Sequence, residues 1–178
     1  TEAAERTAVV SEAVQLIGEG NSVILYLALG PDDARILASK EKADDLGLTS
    51  GQVGEILGGQ LGMILRDILK KTGLKRTAVA GGDTCGHVLK QLEIYVLEFI
   101  IPLGLAAPLC RAGSYDPPFD KLEIALKGGQ LGDIDFFGSL RSGGDLTENG
   151  KRAGGGVATR QSGKMQDTGP IIDPGPLD

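Results

Sequence analysis

The chain has few of the residues on which many catalytic and metal centres depend. Its 178 residues include one histidine, two cysteines and no tryptophan, and only 4% of them are aromatic. A metal cage built from histidines is therefore excluded, and a catalytic triad that needs histidine would depend on His87 alone. Because no secretory leader precedes Cys85 and Cys110, we interpret both cysteines as small buried residues of a cytoplasmic protein.

The sequence also lacks an excess of basic residues and an apolar run long enough to cross a bilayer. Its formal net charge is -6, which argues against a protein that neutralises nucleic-acid phosphates or an anionic membrane surface. We therefore predict a small ligand or a protein partner, and neither nucleic acid nor membrane. The chain begins at Thr1 and its first dozen residues already show a helical pattern, so we expect it to be part of a longer protein.

Glycine is abundant instead, with 28 residues, far more than the average usage of about 7% would give. Between the glycine turns, apolar patterns predict helices that alternate with buried strands, which is typical of an α/β layered domain with a mostly parallel or mixed central sheet flanked by helices. The predicted elements are a helix at 4–17, a strand at 22–29, a charged connection with a short helix at 30–47, a helix at 49–72, a strand, glycine turn and helix within 76–94, and strands at 95–104 and 122–130. We assign residues 1–140 to one domain and predict that the Gly-rich residues 141–178 form a flexible tail.

The pentad GGQLG occurs twice, and its first copy lies inside the predicted helix 49–72. This helix has capping-box spacing at Thr49 and Gln52, and Gly73 marks its end. The glycines of this copy continue a stripe on one helix face, formed by Gly51, Gly54, Gly58 and Gly62. Because a glycine in a helix interior costs roughly 0.5–1 kcal/mol relative to alanine, we expect another backbone to pack unusually close to this stripe.

In the segment VAGGDTCGHVLKQL a strand ends and a helix begins within a few residues. The free N–H groups and the dipole of such a helix start form a site for an anion. Gly81 and Gly82 would let a phosphate approach the backbone, and Asp83 or Thr84 would cap the helix. Alternatively, Thr84 gives its hydroxyl to a phosphate oxygen and Asp83 holds Mg²⁺ through water, or the segment is only a tight turn. His87, in the new helix, is interpreted as a packing or capping residue.

The second pentad, at residues 128–132, follows the apolar strand LEIAL. Gly128 and Gly129 can bring backbone N–H groups to a ligand in the crevice beyond the strand ends, where open α/β sheets usually bind. Lys127 either reaches a phosphate or is a solvated surface lysine. We predict that Phe136 and Phe137 pack in the core.

The ordered pair AGGDTCGHVLKQL and LKGGQLGDIDFF resembles the C-terminal nucleotide-binding domain of the four-carbon acid sugar kinase family. The resemblance extends from the first helix to about Phe137. It implies an ATP-dependent kinase, with Mg²⁺ as the usual companion of the nucleotide, that phosphorylates the terminal hydroxyl of tetronates or 3-oxo-tetronates such as threonate and erythronate. The residues that match the family's two nucleotide-contacting turns are Gly81, Gly82, Asp83 and Thr84 in the first turn, and Gly128 or Gly129 in the second.

The resemblance implies a second, N-terminal domain that holds the sugar acid, and we expect that domain to lie outside residues 1–178. We therefore expect the catalytic residues to lie in that domain, so that residues 1–178 bind nucleotide but transfer little phosphate. The chain also departs from the family at Cys85, where Ser is more common, and in its Gly-rich tail. It is compatible with a homodimer.

A non-catalytic α/β interaction module with structural glycine turns is the alternative function. The charged segment 30–47 and the tail are compatible with such a module. Nucleotide binding would distinguish the two hypotheses.

Overall fold

Helices and strands are interspersed along the chain, as the sequence predicts. The computed structural model describes residues 2–30, 32–104, 107–129, 136–142 and 171–172. The helices are α1 (Glu2–Gly18), α2 (Ala34–Asp45), α3 (Ser50–Thr72), α4 (Gly82–Gln91) and α5 (Phe136–Ser142), with a short 3-10 helix at Pro117–Phe119. The strands are β1 (Ile24–Leu25), β2 (Arg76–Ala80), β3 (Ile94–Pro102), β4 (Pro108–Ser114), β5 (Glu123–Lys127) and β6 (Ile171–Ile172).

The main sheet is mixed, and its order is β2-β5-β4-β3. β2 and β5 run parallel, whereas β4 is antiparallel to both of its neighbours. A separate pair joins β1 to β6 in parallel. The predicted α/β class with a mixed sheet and flanking helices is therefore confirmed.

One face of the sheet packs against α3 and α4 and forms the main core. Its fully buried side chains include Leu92, Phe119 and Ile124, none of which is exposed to solvent. A second cluster joins α1 to α3 through residues such as Val10 and Ile68. These two clusters place α3 between α1 and the sheet layer.

Helix α3 begins and ends where its sequence signals predict. Thr49 is the N-cap, and its side chain and that of Gln52 form the two reciprocal hydrogen bonds of a capping box. Gly73 ends the helix in the left-handed conformation, with φ 67°. Both predicted signals are confirmed, and they fix the length of the helix that carries the glycine stripe.

The glycine stripe of α3 contacts α4 along half of its length. A Cβ added at Gly58 would lie 2.8 Å from His87 Cδ2, and one added at Gly62 would lie 2.7 Å from Gln91 Cγ. At Gly51 and Gly54, however, a Cβ would meet no atom of the described chain within 4 Å. The prediction of close packing is thus confirmed in the second half of the stripe and wrong in the first half.

The opposite face of the sheet carries a row of alternating charges across all four strands. The strand register makes neighbours of Arg76, Glu123, Arg111 and Glu98, in that order. Arg76 bonds to Glu123 at 2.6 Å and Arg111 to Glu98 at 3.3 Å. Such solvent-exposed pairs contribute about 0–1 kcal/mol each to the free energy of unfolding. The row therefore adds little stability and lies on a solvent-exposed part of this face.

Three points of the predicted element order need correction. The strand predicted at 22–29 shrinks to Ile24–Leu25, and it is not covered on both faces, since its residues are half-buried and Leu29 is 70% exposed. Strand β4, which lies inside the sheet, was not predicted. Helix α5 extends to Ser142, past the predicted start of the tail, and apart from Arg141, Ser142 and β6 the predicted flexible tail lies outside the described residues.

Candidate functional site

The two predicted glycine turns lie side by side at one edge of the sheet. Ala80, the last residue of β2, is in parallel register with Lys127, the last residue of β5. The backbone N–H of Gly81 donates to the carbonyl oxygen of Lys127 at 2.9 Å. A Cβ added at Gly129 would lie 3.9 Å from the Cα of Gly81, so the two turns are in contact. Residues from two distant segments therefore meet at the carboxyl ends of two parallel strands.

Gly81 occupies a backbone conformation that residues with a side chain rarely adopt. Its φ is 117°, and a Cβ at this position would lie 3.0 Å from Thr84 Oγ1. Gly81 is the N-cap of α4, and its carbonyl accepts the first helical hydrogen bond from the N–H of Cys85 at 2.9 Å. The glycine thus allows the chain to turn from β2 directly into the helix.

The start of α4 has no side-chain cap. Neither Asp83 nor Thr84 accepts a capping hydrogen bond within the described structure, so the predicted capping role of these two residues is wrong. Both lie within the first turn of the helix, where backbone N–H groups have no intrahelical acceptor. Gly82 and Asp83 are exposed and Thr84 is half-buried. The helix start therefore offers donors that an anion can accept from.

Cys85 contacts both of the strands that lead into the two turns. Its thiol lies 3.5 Å from the carbonyl oxygen of Val79 in β2 and 3.9 Å from that of Lys127 in β5. Burial raises the pKa of this thiol, which keeps it protonated and able to donate. Cys85 is half-buried, less than predicted, whereas Cys110 is buried as predicted and its pKa is also raised by burial.

Lys127 is neither a free surface lysine nor buried. Its ammonium donates to the carbonyl oxygens of Gly128 at 3.2 Å and Gly129 at 3.3 Å. It also lies 6.0 Å from the centroid of the Phe136 ring. Lys127 therefore contacts the second turn through its side chain and the first turn through its carbonyl. The contact with the first turn depends on the pairing of β2 with β5.

The remaining predicted residues divide between the core and the surface. Phe136 is buried beside Leu109 and Ala125, as predicted, but Phe137 is 40% exposed, so its assignment to the core is wrong. His87 packs against Gly58, which confirms a packing role. Gly128 is half-buried and Gly129 is exposed at the sheet edge. Residues 130–135 of the second motif lie outside the described residues.

Two concavities of the described chain lie away from the glycine edge, one beside Asp33 and Arg35 and one beside Lys75 and Lys121 at the amino ends of β2 and β5. Within the described ranges, no group of three metal-ligating side chains occurs, and each helix is too short or too polar to span a bilayer. The hydrogen-bond donors, rather than the depth of a cavity, single out the glycine edge.

These features define a class of protein. A glycine turn that joins a parallel strand to an uncapped helix start, beside the glycine turn of the neighbouring strand, is typical of α/β domains that bind phosphate-bearing ligands at the carboxyl edge of the sheet. The expected ligand of such an edge is an anion held by backbone N–H groups.

The family of the chain agrees with this class. Residues 1–137 match the model of the family described as the nucleotide-binding C-terminal domain. The chain belongs to this family, the C-terminal domain of the four-carbon acid sugar kinases, as the two glycine motifs led us to expect.

Several relatives have names that describe sugar-acid kinases. The chain is 41% identical over 141 residues to a 3-oxo-isoapionate kinase of Paraburkholderia graminis, covering 79% of this chain and 30% of the relative. It is 30% identical over 132 residues to a 3-oxo-tetronate kinase of Pseudomonas fluorescens, covering 73% of this chain and 28% of the relative. The chain thus spans less than a third of the length of these curated relatives.

A solved structure shares the fold. The crystal structure of Haemophilus influenzae protein HI1011 matches with a TM-score of 0.55 at 20% identity, over 75% of this chain and 30% of that protein. At this identity the likeness concerns the fold alone.

Proposed function

We propose that this chain is the ATP-binding domain of a kinase that phosphorylates four-carbon acid sugars, such as threonate, erythronate or a 3-oxo-tetronate, at the terminal hydroxyl. The observation that carries the proposal is the uncapped start of α4 in contact with the second glycine turn. Membership of the family and the names of the relatives support it.

In this proposal the backbone holds the phosphates. The N–H groups of Gly82, Asp83 and Thr84 would donate to phosphate oxygens, and the turn at Gly128 and Gly129 would contact the nucleotide from the adjacent strand. Transfer of a phosphoryl group depends mainly on positioning and charge stabilisation, so few reactive side chains are needed here.

Mg²⁺ usually binds to substrate phosphates, one or two carboxylates and several waters. The exposed carboxylate of Asp83, in the first turn of α4, fits the role of a ligand to such a water. The sugar acid would bind to a second domain, which would also supply the residue that activates its hydroxyl. We place the reaction in the cytoplasm, a location that the free thiols of Cys85 and Cys110 favour.

Two glycines of α4 provide a matched test of nucleotide binding. A Cβ at Gly82 or at Gly86 would meet no described atom within 4 Å, so substitution at either position should preserve the fold. Gly82→Val would place methyl groups over the helix start, and we expect it to weaken the binding of Mg²⁺–ATP by about tenfold or more, which is about 1.4 kcal/mol. Gly86→Ala, one turn further along, should leave the affinity unchanged.

The affinities of the wild-type chain and of both variants for ATP and ADP can be measured by isothermal titration calorimetry of residues 1–178. The melting temperature without nucleotide shows whether each variant is folded. Asp83→Ala should weaken binding more in the presence of Mg²⁺ than in its absence. If the wild-type chain shows no binding at millimolar nucleotide, the proposal fails and the interaction module is favoured. If Gly82→Val and Gly86→Ala lost the same amount of nucleotide affinity, the nucleotide would not bind at the start of α4.

The division of labour between domains has its own test. Residues 1–178 should bind ATP but should not phosphorylate threonate, erythronate, 3-oxo-tetronate or 3-oxo-isoapionate in a coupled ADP-release assay. Measurable turnover of any of these acids by residues 1–178 would contradict the assignment of the sugar-acid site to a separate domain.

A further inference from the structure

The charge of Lys127 is not neutralised by any carboxylate among the described residues. Its ammonium has three N–H donors, and its two hydrogen-bond acceptors are the carbonyl oxygens of Gly128 and Gly129. The nearby ring of Phe136 adds a weak cation–π attraction at 6.0 Å. All these partners are formally neutral, so within the described part of the chain the positive charge of Lys127 at the carboxyl edge of the sheet has no carboxylate partner.

The turn that holds this ammonium contacts the turn from which α4 starts. The carbonyl of Lys127 accepts from Gly81 at 2.9 Å, and the Gly129 backbone, whose oxygen holds the ammonium, contacts Gly81 as well. The helix start and the ammonium are both sources of positive potential, and they belong to two turns that contact each other. One phosphate can use the helix start, and a longer phosphate chain can use both.

We infer that the ammonium of Lys127 binds the phosphate chain of the nucleotide and makes the site prefer ATP and ADP to AMP, an inference that rests on the proposed function. An ammonium and a phosphate oxygen carry opposite charges and attract each other more strongly than an ammonium and a neutral carbonyl oxygen do. The side chain therefore gains by exchanging a carbonyl of its own turn for a phosphate oxygen. The lysine then links the phosphate to the turn at Gly128 and Gly129.

Substitution by glutamine separates the charge from the hydrogen bonds. In Lys127→Gln the side-chain amide can still donate to the carbonyls of the turn, but the positive charge is lost, whereas Lys127→Arg keeps the charge. We expect Lys127→Gln to bind ATP and ADP about tenfold more weakly and AMP nearly as well as the wild type. Lys127→Arg should retain most of the preference for ATP.

Lys75→Gln is the matched control, because Lys75 is exposed beside the opposite end of β2 and the substitution removes the same charge. Calorimetric titration of residues 1–178 with ATP, ADP and AMP, at low and high salt, gives the affinities. The ATP affinity of Lys127→Gln should fall less steeply with salt than that of Lys75→Gln.

Two results would overturn the inference while nucleotide binding itself stands. Lys127→Gln could bind ATP as tightly as the wild type, or it could lose ATP and AMP affinity equally, which would mean that the lysine only shapes the turn. Absence of nucleotide binding by the wild-type chain would refute the proposed function as well. If Lys127→Gln does not fold, a Lys127→Arg chain that binds ATP no better than AMP would overturn the inference, because this variant keeps the positive charge and the N–H donors.

Discussion

Helix α3 contains two glycines that should respond in opposite directions to the same substitution. A Cβ at Gly62 would lie 2.7 Å from Gln91 Cγ, 2.9 Å from Gln91 Cβ and 3.2 Å from the backbone Cα of Val88. These atoms are close to the backbone of α4 and cannot swing aside as the end of a side chain can. Gly62→Ala therefore forces α3 and α4 apart. At Gly54 the added methyl group would meet no described atom within 4 Å.

The difference between these two variants isolates the cost of helix contact. Replacing glycine by alanine in a helix interior gains roughly 0.5–1 kcal/mol at either position. Overpacking costs about 1–3 kcal/mol, and it applies to Gly62→Ala alone. Gly54→Ala should thus raise the free energy of unfolding, and the value for Gly62→Ala should lie about 1–3 kcal/mol below that of Gly54→Ala.

Urea unfolding followed by far-UV circular dichroism measures this difference directly, and the melting temperatures should differ by roughly 2–4 °C for each kcal/mol in a chain of this size. Both variants should unfold with the wild-type denaturant dependence. If Gly62→Ala stabilises the chain as much as Gly54→Ala, then α3 and α4 do not approach as closely as the structure shows, and the explanation of the glycine stripe is wrong.

Two further predictions concern the ends of α3. The hydrogen bond from Lys70, at 2.8 Å, and then that from Arg66 hold the pKa of Asp116 below its ordinary value, so its ion pairs stabilise the fold above that ordinary value and are lost as the pH falls through the folded pKa. Asp116→Asn should therefore destabilise the chain in urea titrations at pH 7 and progressively less below about pH 4; an equal loss at pH 7 and pH 3 would contradict this. Thr49→Ala removes the hydroxyl that accepts a hydrogen bond from the backbone N–H of Gln52 and should cost about 1 kcal/mol. Thr49→Ser keeps this acceptor and should not, as chemical unfolding of both variants would show.

The sequence predicted the elements whose ends carry local signals. The capping box at Thr49, the left-handed Gly73 and the strand-to-helix turn at Gly81 are each encoded within a few residues, and each is found where predicted. Local signals also identified both glycine turns. They did not reveal that Gly81 bonds to Lys127, because that contact depends on which strands become neighbours.

Strand β4 shows why other parts were missed. Leu109 and Cys110 are adjacent and both buried, since helices cover the two faces of the sheet at this end, whereas Arg111 is exposed where the charged row begins. The strand therefore lacks the alternation of apolar and polar residues by which strands are recognised. The opposite error occurred at residues 22–29, where an apolar run predicts a covered strand, but within the described ranges only Ile24 and Leu25 have a strand partner.

The order of the strands in the sheet differs from their order in the chain, and this has a consequence during synthesis. β5 follows the other three strands along the chain, yet it inserts between β2 and β4. At a synthesis rate of about 5–20 residues per second, β2 therefore waits some seconds on the ribosome for its neighbour in this sheet. Until Lys127 emerges, the turn at Gly81 has no carbonyl to bond to. A ligand that contacts both turns therefore needs β5 in place, and a chain that stalls before Lys127 offers only the first turn.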